Sequence, residues 1–451
     1  MSNKILVGGL VVLTLVSSGA EAQSAADLAV LKGLSPVTTL RKTEAGRAAL
    51  GANFTITVGI QSGEIRQPAL APFPEQQQLA LRDVFQTGGN LAQLSDGLGT
   101  TLGAAYVARA HYIDRDRFTS LSQRVADLIA YTRAATRSNS NSAKYFFANL
   151  TIDGKTPASA EAMALLEDSG GSPDMFGHAY GVPAGSPGAG NYGGARPFQV
   201  EAALTRIVGR DYFGTPADNL VYNRGPMMNL TNNPSYPSGH TTYSYTGAVI
   251  LGVLVPERYP EMIARAAEYG NHRIIVGAHY AMDVIAGRTL ALYAMAHLLA
   301  NDPAYVGQSL GSVPAIADFG AAVAAARADV VQTLEAACGK TVAECAREDI
   351  GRLSDPAANE AFYAATQTYG LPVVHPEQAR AVVDVAKAAP EAGYLLTVAF
   401  PSLTLDQANA ILTNTLGPGG GFLDNGSAFG IYSRLNLHAA TLQAARLAGR
   451  R

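Results

Sequence analysis

The apolar residues of this chain recur mostly at steps of three and four, and this spacing limits the fold to a largely helical one. One stretch, Phe54 to Ile60, alternates instead and predicts a short strand. The segment Arg273–Leu299 predicts one long helix, or two that are broken near Gly287. We therefore expect a mainly α protein, with further helices at Gln76–Thr87, Tyr106–Ala135, Ala158–Leu166, Pro197–Ile207, Thr241–Val255, Glu261–Tyr269, Ile316–Ala337, Ala357–Tyr369, Pro376–Ala388 and Leu405–Leu416.

Composition allows a large core and excludes some partners. The chain has 451 residues, of which 48% are hydrophobic and 15% charged, below the typical charged share of ~25%. A net charge of −3 gives no reason to expect nucleic acid as a partner, and no basic run suggests an anionic membrane surface.

The N-terminus has the pattern of an export signal. Lys4 supplies the positive charge, Ile5 to Val16 the apolar stretch, and Ala20-Glu21-Ala22 a cleavage site. The alternative is a membrane anchor, which is disfavoured because the apolar run is shorter than the ~20 residues of a spanning helix. We therefore expect a signal peptide over 1–22, no transmembrane segment after its removal, and a periplasmic or secreted protein.

The two cysteines, Cys338 and Cys345, lie close together in sequence. In an oxidising compartment they could form one small-loop disulfide, and the alternative is two separate thiols. A metal site is disfavoured because no histidine lies near them in sequence.

The chain divides into N-terminal helices with a motif-bearing core over 23–300 and a C-terminal helical extension over 301–451. The motifs described below fall in 189–300. The extension is expected to be a second helical layer, a substrate cover or an oligomer contact. The segment Ser169–Gly194 is rich in Gly, Pro and Ser, which predicts a long loop that is either a substrate-binding lid or a surface excursion.

The first chemical motif is Pro237-Ser238-Gly239-His240, just before an apolar helix. Proline and serine suit a helix start, where free amide groups and the helix dipole attract anions. Gly239 allows the backbone to approach an anion closely, and the Ser238 hydroxyl adds a donor. His240 at the edge of such a site could protonate a leaving oxygen.

The second motif runs from Arg273 through His279 to Asp283. On a helix, the four-residue spacing puts His279 and Asp283 on one face, so that the carboxylate could hold one imidazole nitrogen while the other points outward. The Arg273 guanidinium suits phosphate oxygens, and Arg196 in Arg196-Pro197 is a further candidate. Together these are the parts that metal-free phosphoryl transfer needs.

These residues resemble the type 2 phosphatidic acid phosphatase (PAP2) superfamily, which includes bacterial class A acid phosphatases and vanadium haloperoxidases. The segments YPSGHTTYSYTGAVIL and HRIIVGAHYAMDV are most similar to the soluble acid phosphatases. The resemblance implies a helical bundle and an exported, metal-independent phosphomonoesterase that acts on a small phosphorylated substrate without a cofactor. It implies that His279 forms a phosphohistidine, that Asp283 orients it and that His240 is the general acid. The phosphate-binding residues would be Arg196, Arg273, Ser238 and Gly239.

The sequence departs from the family pattern in two places. Ala189 stands where the first motif has lysine, and His272 stands where serine is usual. Lys155 or Arg210 could supply the missing cation, and His272 is expected to have a structural or rim role. Two alternatives stay open: a haloperoxidase that uses vanadate as a cofactor rather than being inhibited by it, and a non-catalytic protein that binds phosphate or phospholipid.

Overall fold

The computed structural model describes residues 23–85, 89–168, 194–224, 228–231 and 233–449. Within these ranges the elements of secondary structure are all helices except for one two-stranded antiparallel sheet, which confirms the mainly α prediction. The predicted signal peptide, Ala189 and nearly all of the predicted loop 169–194 lie outside the described residues. No helix in the described ranges combines the length and apolarity needed to cross a bilayer.

The helices and strands have the following bounds. The α-helices are α1 Ala25–Leu34, α2 Glu44–Ser62, α3 Phe73–Arg82, α4 Thr100–Arg109, α5 Gln123–Asn149, α6 Ala160–Asp168, α7 Pro197–Val200, α8 Asn219–Arg224, α9 Gly239–Leu254, α10 Tyr259–Ile275, α11 Ala281–Leu299, α12 Phe319–Cys338, α13 Val342–Arg347, α14 Pro356–Thr368, α15 Pro376–Ala379, α16 Val385–Ala388, α17 Tyr394–Thr397, α18 Leu405–Asn414, α19 Ala428–Ile431 and α20 Leu437–Leu447. Short 3₁₀ helices cover Ser35–Lys42, Ala92–Leu98, Pro256–Arg258 and Pro390–Gly393. The strands are β1 Val208–Arg210 and β2 Pro216–Asp218.

Helices α9, α10 and α11 form the centre of the molecule. Every residue of α10 is buried, and the same holds for α9 after its first residue. A helix that is covered on all sides lies inside a bundle rather than on its surface. Helix α5 packs along α9, and α14 and α20 pack against α10. The centre is therefore shielded from water by helices from both ends of the chain.

The region after residue 300 forms a second helical layer on this centre. Most of its buried side chains belong to the same hydrophobic core as those of α9 and most of α10. Polar contacts also join the two parts: Tyr259 Oη donates to the Leu395 carbonyl at 3.0 Å, and the Arg288 guanidinium donates to the Thr366 carbonyl at 3.0 Å. Cys338 and Cys345 are paired as a disulfide between α12 and α13, with Cα atoms 6.6 Å apart.

The strand predicted at Phe54–Ile60 is wrong, because this segment lies inside α2. Two polar side chains on one face of α2 accept hydrogen bonds from the first amides of α11. Asn53 Oδ1 accepts from the Met282 amide at 2.9 Å, and Thr57 Oγ1 accepts from the Ala281 amide at 3.1 Å. These tertiary contacts need a helix at this point, and they outweigh the local β-propensity of the sequence.

The break predicted near Gly287 lies instead between Ile275 and Ala281. Gly277 has a φ of +76°, which reverses the chain there and favours glycine. Gly287 is inside α11, where a Cβ atom would collide with the carbonyl oxygen of Ser238. This glycine therefore lets α11 approach the start of α9 closely, rather than ending a helix.

Four other predicted helices are shorter or divided. The helix predicted at Gln76–Thr87 ends at Arg82. The stretch Tyr106–Ala135 is split between α4 and α5, because the Ser122 side chain accepts from the Val125 amide and starts a new helix. Only the first turn of Pro197–Ile207 is helical. The stretch Pro376–Ala388 contains two short helices, the second of which starts where Asp384 caps α16.

Candidate active site

His279 lies in the tight turn between α10 and α11. After Gly277 reverses the chain, the amides of Ala278 and His279 both donate to the Arg273 carbonyl, at 2.9 and 3.2 Å. The turn therefore folds back under the end of α10. The expectation that His279 shares a helix face with Asp283 is wrong in detail, because His279 precedes α11 and only Asp283 is inside it.

Asp283 nevertheless faces His279, because it occupies the first turn of α11. Its Oδ2 atom accepts from the Tyr280 amide at 2.9 Å and lies 3.4 Å from His279 Nδ1. The Ser235 hydroxyl donates to the same oxygen and lies 3.4 Å from His279 Nδ1. All of these side chains are buried. This arrangement favours the tautomer with the proton on Nδ1, which leaves the Nε2 lone pair facing the other way. Ser235 was missed by the sequence analysis.

The Nε2 side of His279 faces a second imidazole and a guanidinium. His240 Nδ1 is 3.3 Å from His279 Nε2, with the two rings edge to face at 5.5 Å. Arg196 Nη1 is 3.0 Å from the same nitrogen. The far nitrogen of His240, Nε2, contacts Met228 Sδ at 3.1 Å. The two histidines of the separate motifs are therefore direct neighbours.

The PSGH segment forms the start of α9, as the sequence predicts. The Ser238 hydroxyl oxygen caps the helix by accepting from the Thr241 amide at 3.1 Å, and it also accepts from the Thr241 hydroxyl at 3.0 Å. The Ser238 amide donates to the Asp283 carbonyl at 2.9 Å, which joins the two motifs. A Cβ atom on Gly239 would lie 3.4 Å from Lys144 Nζ. The bare glycine therefore leaves space between the helix start and that ammonium group.

Lys144, on α5, is a second site residue that the sequence analysis did not find. It is buried, and its Nζ donates to Asn233 Oδ1 at 2.8 Å. The same oxygen accepts from Arg196 Nη2 at 2.9 Å, so Asn233 holds both cations. The cations proposed from sequence are elsewhere: Lys155 is exposed, and Arg210 donates to the Gly214 carbonyl in the β1–β2 hairpin. A lysine beside the apolar run at 146–148 of a helix was the only sequence signal for this position.

Arg196 is completely buried and held by carbonyl groups. Its guanidinium donates to the carbonyls of Asn233, Pro234 and Ala278 at 2.8 to 3.0 Å. These bonds fix its orientation and keep Nη1 beside His279. Burial lowers the pKa of Arg196 to about 9, which leaves it protonated at neutral pH.

Arg273 is equally buried but less well paired. Its Nη2 atom donates to the Ala80 carbonyl at 3.2 Å, and its guanidinium stacks over the Tyr269 ring at 5.1 Å. Its Nε and Nη1 atoms have no hydrogen-bond partner among the described residues. Leaving donors of a buried cation unpaired costs free energy, unless an anion binds them.

The electrostatics of the pocket oppose positive charge on the histidines. Burial lowers the pKa of His279 well below its ordinary value, and Arg196 lowers it further. Burial likewise lowers the pKa of His240, with Arg273, Arg196 and Lys144 adding to the effect. Burial and Arg196 also lower the pKa of Lys144, against the opposing charge of Asp283. The site is short of negative charge, so a phosphate dianion would reverse these shifts.

A cavity of about 190 Å³ lies beside these groups and is lined by Lys144, Asn233, Gly239 and His240, among others. It is smaller than the ~300–1,000 Å³ typical of pockets for drug-sized ligands, so it suits a small substrate. Within the part of the chain that the structure describes, no cluster of three or more His, Cys, Asp or Glu residues is placed to hold a metal ion.

His272 has a structural place beside the site. It is buried, and its Nδ1 atom is 2.6 Å from Asp83 Oδ2. The same carboxylate forms a bidentate ion pair with Arg265, at 2.6 and 2.8 Å. The side chain that replaces the family's serine therefore binds the helix-packing network rather than the cavity.

Comparison with known proteins matches this part of the chain to a described family. Residues 191–304 match the profile of the PAP2 superfamily. The chain contains a PAP2 superfamily domain. That domain runs from just before α7 to just after α11. It therefore includes five of the candidate site residues, namely Arg196, His240, Arg273, His279 and Asp283. Lys144 lies outside the PAP2 domain, on α5.

The PAP2 domain is also similar to parts of three curated proteins. A non-specific acid phosphatase of Salmonella typhimurium is 45% identical over 69 residues, which are 15% of this chain and 28% of that protein. An acid phosphatase of Zymomonas mobilis is 42% identical over 62 residues, 14% of this chain and 24% of that protein. A lipid A 1-phosphatase of Rhizobium johnstonii is 36% identical over 87 residues, 19% and 34% respectively. This chain thus spans about a quarter to a third of the relatives it matches.

Proposed function

We propose that the protein is an exported phosphomonoesterase that transfers a phosphoryl group to His279 without a metal ion. The observation that carries the proposal is the buried pair of imidazoles, in which His279 Nε2 lies 3.0 Å from Arg196 Nη1 and 3.3 Å from His240 Nδ1. The PAP2 domain and its relatives named acid phosphatases support the same activity.

In the first step, the phosphate ester binds among Lys144, Arg196 and Arg273. His279 Nε2 attacks the phosphorus, and the bond between phosphorus and the ester oxygen breaks. His240 gives a proton to the departing oxygen, so that an alcohol leaves. Asp283, 3.4 Å from His279 Nδ1, stabilises the positive charge that develops on the imidazole.

In the second step, water hydrolyses the phosphohistidine. The neutral His240 takes a proton from the water as its oxygen attacks phosphorus, and the bond between phosphorus and Nε2 breaks. Inorganic phosphate leaves, and both imidazoles return to their first protonation states. The same residue therefore acts as acid and then as base.

The charges around the pocket supply what a metal ion supplies in other phosphatases. Arg196, Arg273 and Lys144 neutralise the phosphate oxygens, and the first amides of α9 add fixed dipoles. A divalent cation would be repelled by this set of cations. Vanadate, a phosphate analogue, is expected to inhibit by occupying the same groups.

Export is supported by the sequence of residues 1–22, which has a positive start, an apolar run and an A-x-A cleavage site. Periplasmic or secreted location also fits the Cys338–Cys345 disulfide, because disulfides persist in oxidising compartments. Fractionation of cells that express the full chain tests this, with mature protein beginning at Gln23 as the expected product.

The activity is tested by hydrolysis of an aryl phosphate in the presence of a chelator. We expect turnover by the wild type and by His375→Ala, whose histidine belongs to the C-terminal layer, and none by His279→Ala. Full activity in His279→Ala would refute the mechanism. Halide oxidation by peroxide after vanadate loading, without ester hydrolysis, would favour a haloperoxidase instead. Phosphate binding without any turnover would favour a non-catalytic protein.

A further inference from the structure

Cationic side chains on one face of α5 extend the lining of the pocket away from His240 and His279. Arg133, Arg137, Ser140 and Lys144 follow one another at steps of four, three and four, which places them on the same side of a helix. All of them line the cavity that also contains His240. The cationic surface is therefore longer than a single phosphate group requires.

The outer two cations of this face, Arg133 and Arg137, have no acidic partner among the residues that the structure describes. Among the described residues that line the cavity there is no Asp or Glu, and no ion pair of Arg133 or Arg137 occurs in the described part of the chain. Arg124, at the start of the same helix, instead pairs with Asp329 at 2.9 Å. Burial lowers the pKa of Arg133, and the charge of Arg137 adds to this.

A buried hydroxyl between the two ends of the face also lacks a partner. Ser140 is 4% exposed, and its Oγ atom makes no hydrogen bond to any described residue. It lies near Gly239, whose Cβ position would be 3.7 Å from Ser140 Oγ. A buried polar group of this kind is normally satisfied by a ligand or water. This second observation points to a ligand that extends along α5.

The helix sets the distance between the two ends of such a ligand. Arg137 is seven residues from Lys144, which corresponds to about 10 Å along the axis at ~1.5 Å per residue. Arginine suits a terminal phosphate because its planar fork can bind two oxygens at once. The small cavity leaves room for a compact linker between the two charged groups.

We propose that the preferred substrates are small bisphosphorylated molecules. One phosphate is hydrolysed at His279, and the other binds Arg133 and Arg137. The inference rests on the proposed function of the same site, and it adds a second phosphate subsite and a substrate class to it.

The test compares a hexose bisphosphate with the corresponding hexose monophosphate as substrates. We expect the wild type to have a kcat/KM at least about tenfold higher for the bisphosphate, as for one added charged contact. In Arg133→Gln/Arg137→Gln this ratio should fall close to one, mainly through KM for the bisphosphate. Arg137→Gln alone, at an exposed position, should lower the ratio partly even if the double variant folds poorly. The matched control Arg124→Gln should keep the wild-type ratio.

A binding measurement separates failure of this inference from failure of the proposed function. Calorimetry with His279→Ala should give tighter binding of the bisphosphate than of the monophosphate, and adding Arg137→Gln should remove the difference. If neither substrate is hydrolysed but this arginine-dependent difference persists, the phosphatase proposal fails and the subsite stands. Equal binding of the two ligands, or a wild-type kcat/KM ratio near one, would overturn the subsite.

Discussion

Two buried cationic clusters meet on α10, and they differ in how their charge is balanced. In one cluster, Arg265 and His272 share the carboxylate of Asp83, with contacts of 2.6 to 2.8 Å. In the other, Arg273 leaves two donor atoms without a partner among the described residues, and Lys144 is held by a neutral amide oxygen. His272 and Arg273 are adjacent in sequence, yet His272 belongs to the cluster that contains a carboxylate and Arg273 belongs to the other.

The balanced cluster stabilises the fold, whereas the unbalanced one is suited to binding an anion. Burial alone would raise the pKa of Asp83, but Arg265 and His272 outweigh it and hold that pKa well below its ordinary value. Burial and the neighbouring cations instead lower the pKa values of His240 and His279. The balance of buried charge, rather than its presence, therefore distinguishes a candidate binding site from a structural network.

The largest difference in activity is expected between variants of His279 and of His272. His279→Ala should lower kcat/KM for an aryl phosphate by roughly 10⁴-fold or more, because it removes the proposed nucleophile. His272→Ala should leave kcat of the folded protein within about threefold, because its side chain binds the network and not the cavity. Steady-state kinetics checks both. Equal losses of kcat in the two variants would mean that the clusters are not functionally distinct.

Breaking the balanced cluster should cost stability. Asp83→Asn removes the bidentate carboxylate of Arg265 but leaves its ion pairs with Asp96 and Glu268, and the loss of a charged hydrogen bond typically costs about 1.5–3 kcal/mol. Urea denaturation should therefore show a lower free energy of unfolding by about this amount. A variant with wild-type stability and lost activity would place Asp83 in the catalytic machinery and contradict the comparison.

The opposite result is expected for the unbalanced cluster. Lys144→Met should lower kcat/KM by about 10- to 100-fold, as for the loss of one charged hydrogen bond of about 1.5–3 kcal/mol. Its stability should be kept or increased, because a buried cation is replaced by an apolar side chain of similar length. Lys155→Met, at an exposed position, is the control and should change neither quantity. A strong loss of stability without loss of activity would make Lys144 structural.

The smallest expected effect is a change in pH dependence. The proposed role of His240 as general acid requires its protonated form, so kcat/KM should fall as the pH rises through the pKa of its imidazole. Lys144 is one of the charges that lower this pKa. Its removal in Lys144→Met should raise the pKa and move the falling limb of the pH profile to higher pH. An unchanged limb, or one at lower pH, would show that the two groups are not coupled.

The sequence predicted those features that depend on local spacing. The helical class follows from apolar periodicity, and Ser238 caps α9 because its position just before an apolar helix specifies a helix start. The motif residues His240, His279 and Asp283 do come together, since α9 and α11 pack at their N-terminal ends. Their chemical assignments stay predictions until variants are measured.

The features that were missed depend on contacts between distant segments. Lys144 reaches the pocket from a helix outside the PAP2 domain, and Ser235 and Asn233 come from an irregular segment without periodicity. The strand predicted at Phe54–Ile60 failed for the same reason, because its helical form is needed to cap α11. Local sequence patterns do not specify contacts between distant segments, so these contacts are seen only in the folded structure.

The proposed transfer of a phosphoryl group from the substrate to His279 can be tested by trapping the phosphohistidine intermediate. The full chain is mixed rapidly with an aryl phosphate, quenched under alkaline denaturing conditions and digested for mass spectrometry of the peptide that contains His279. We expect phosphate on His279, formed together with a burst of aryl alcohol equal in amount to the enzyme, and neither in His279→Ala. Continuous turnover with His279 unmodified, or with phosphate on another residue, would contradict the account.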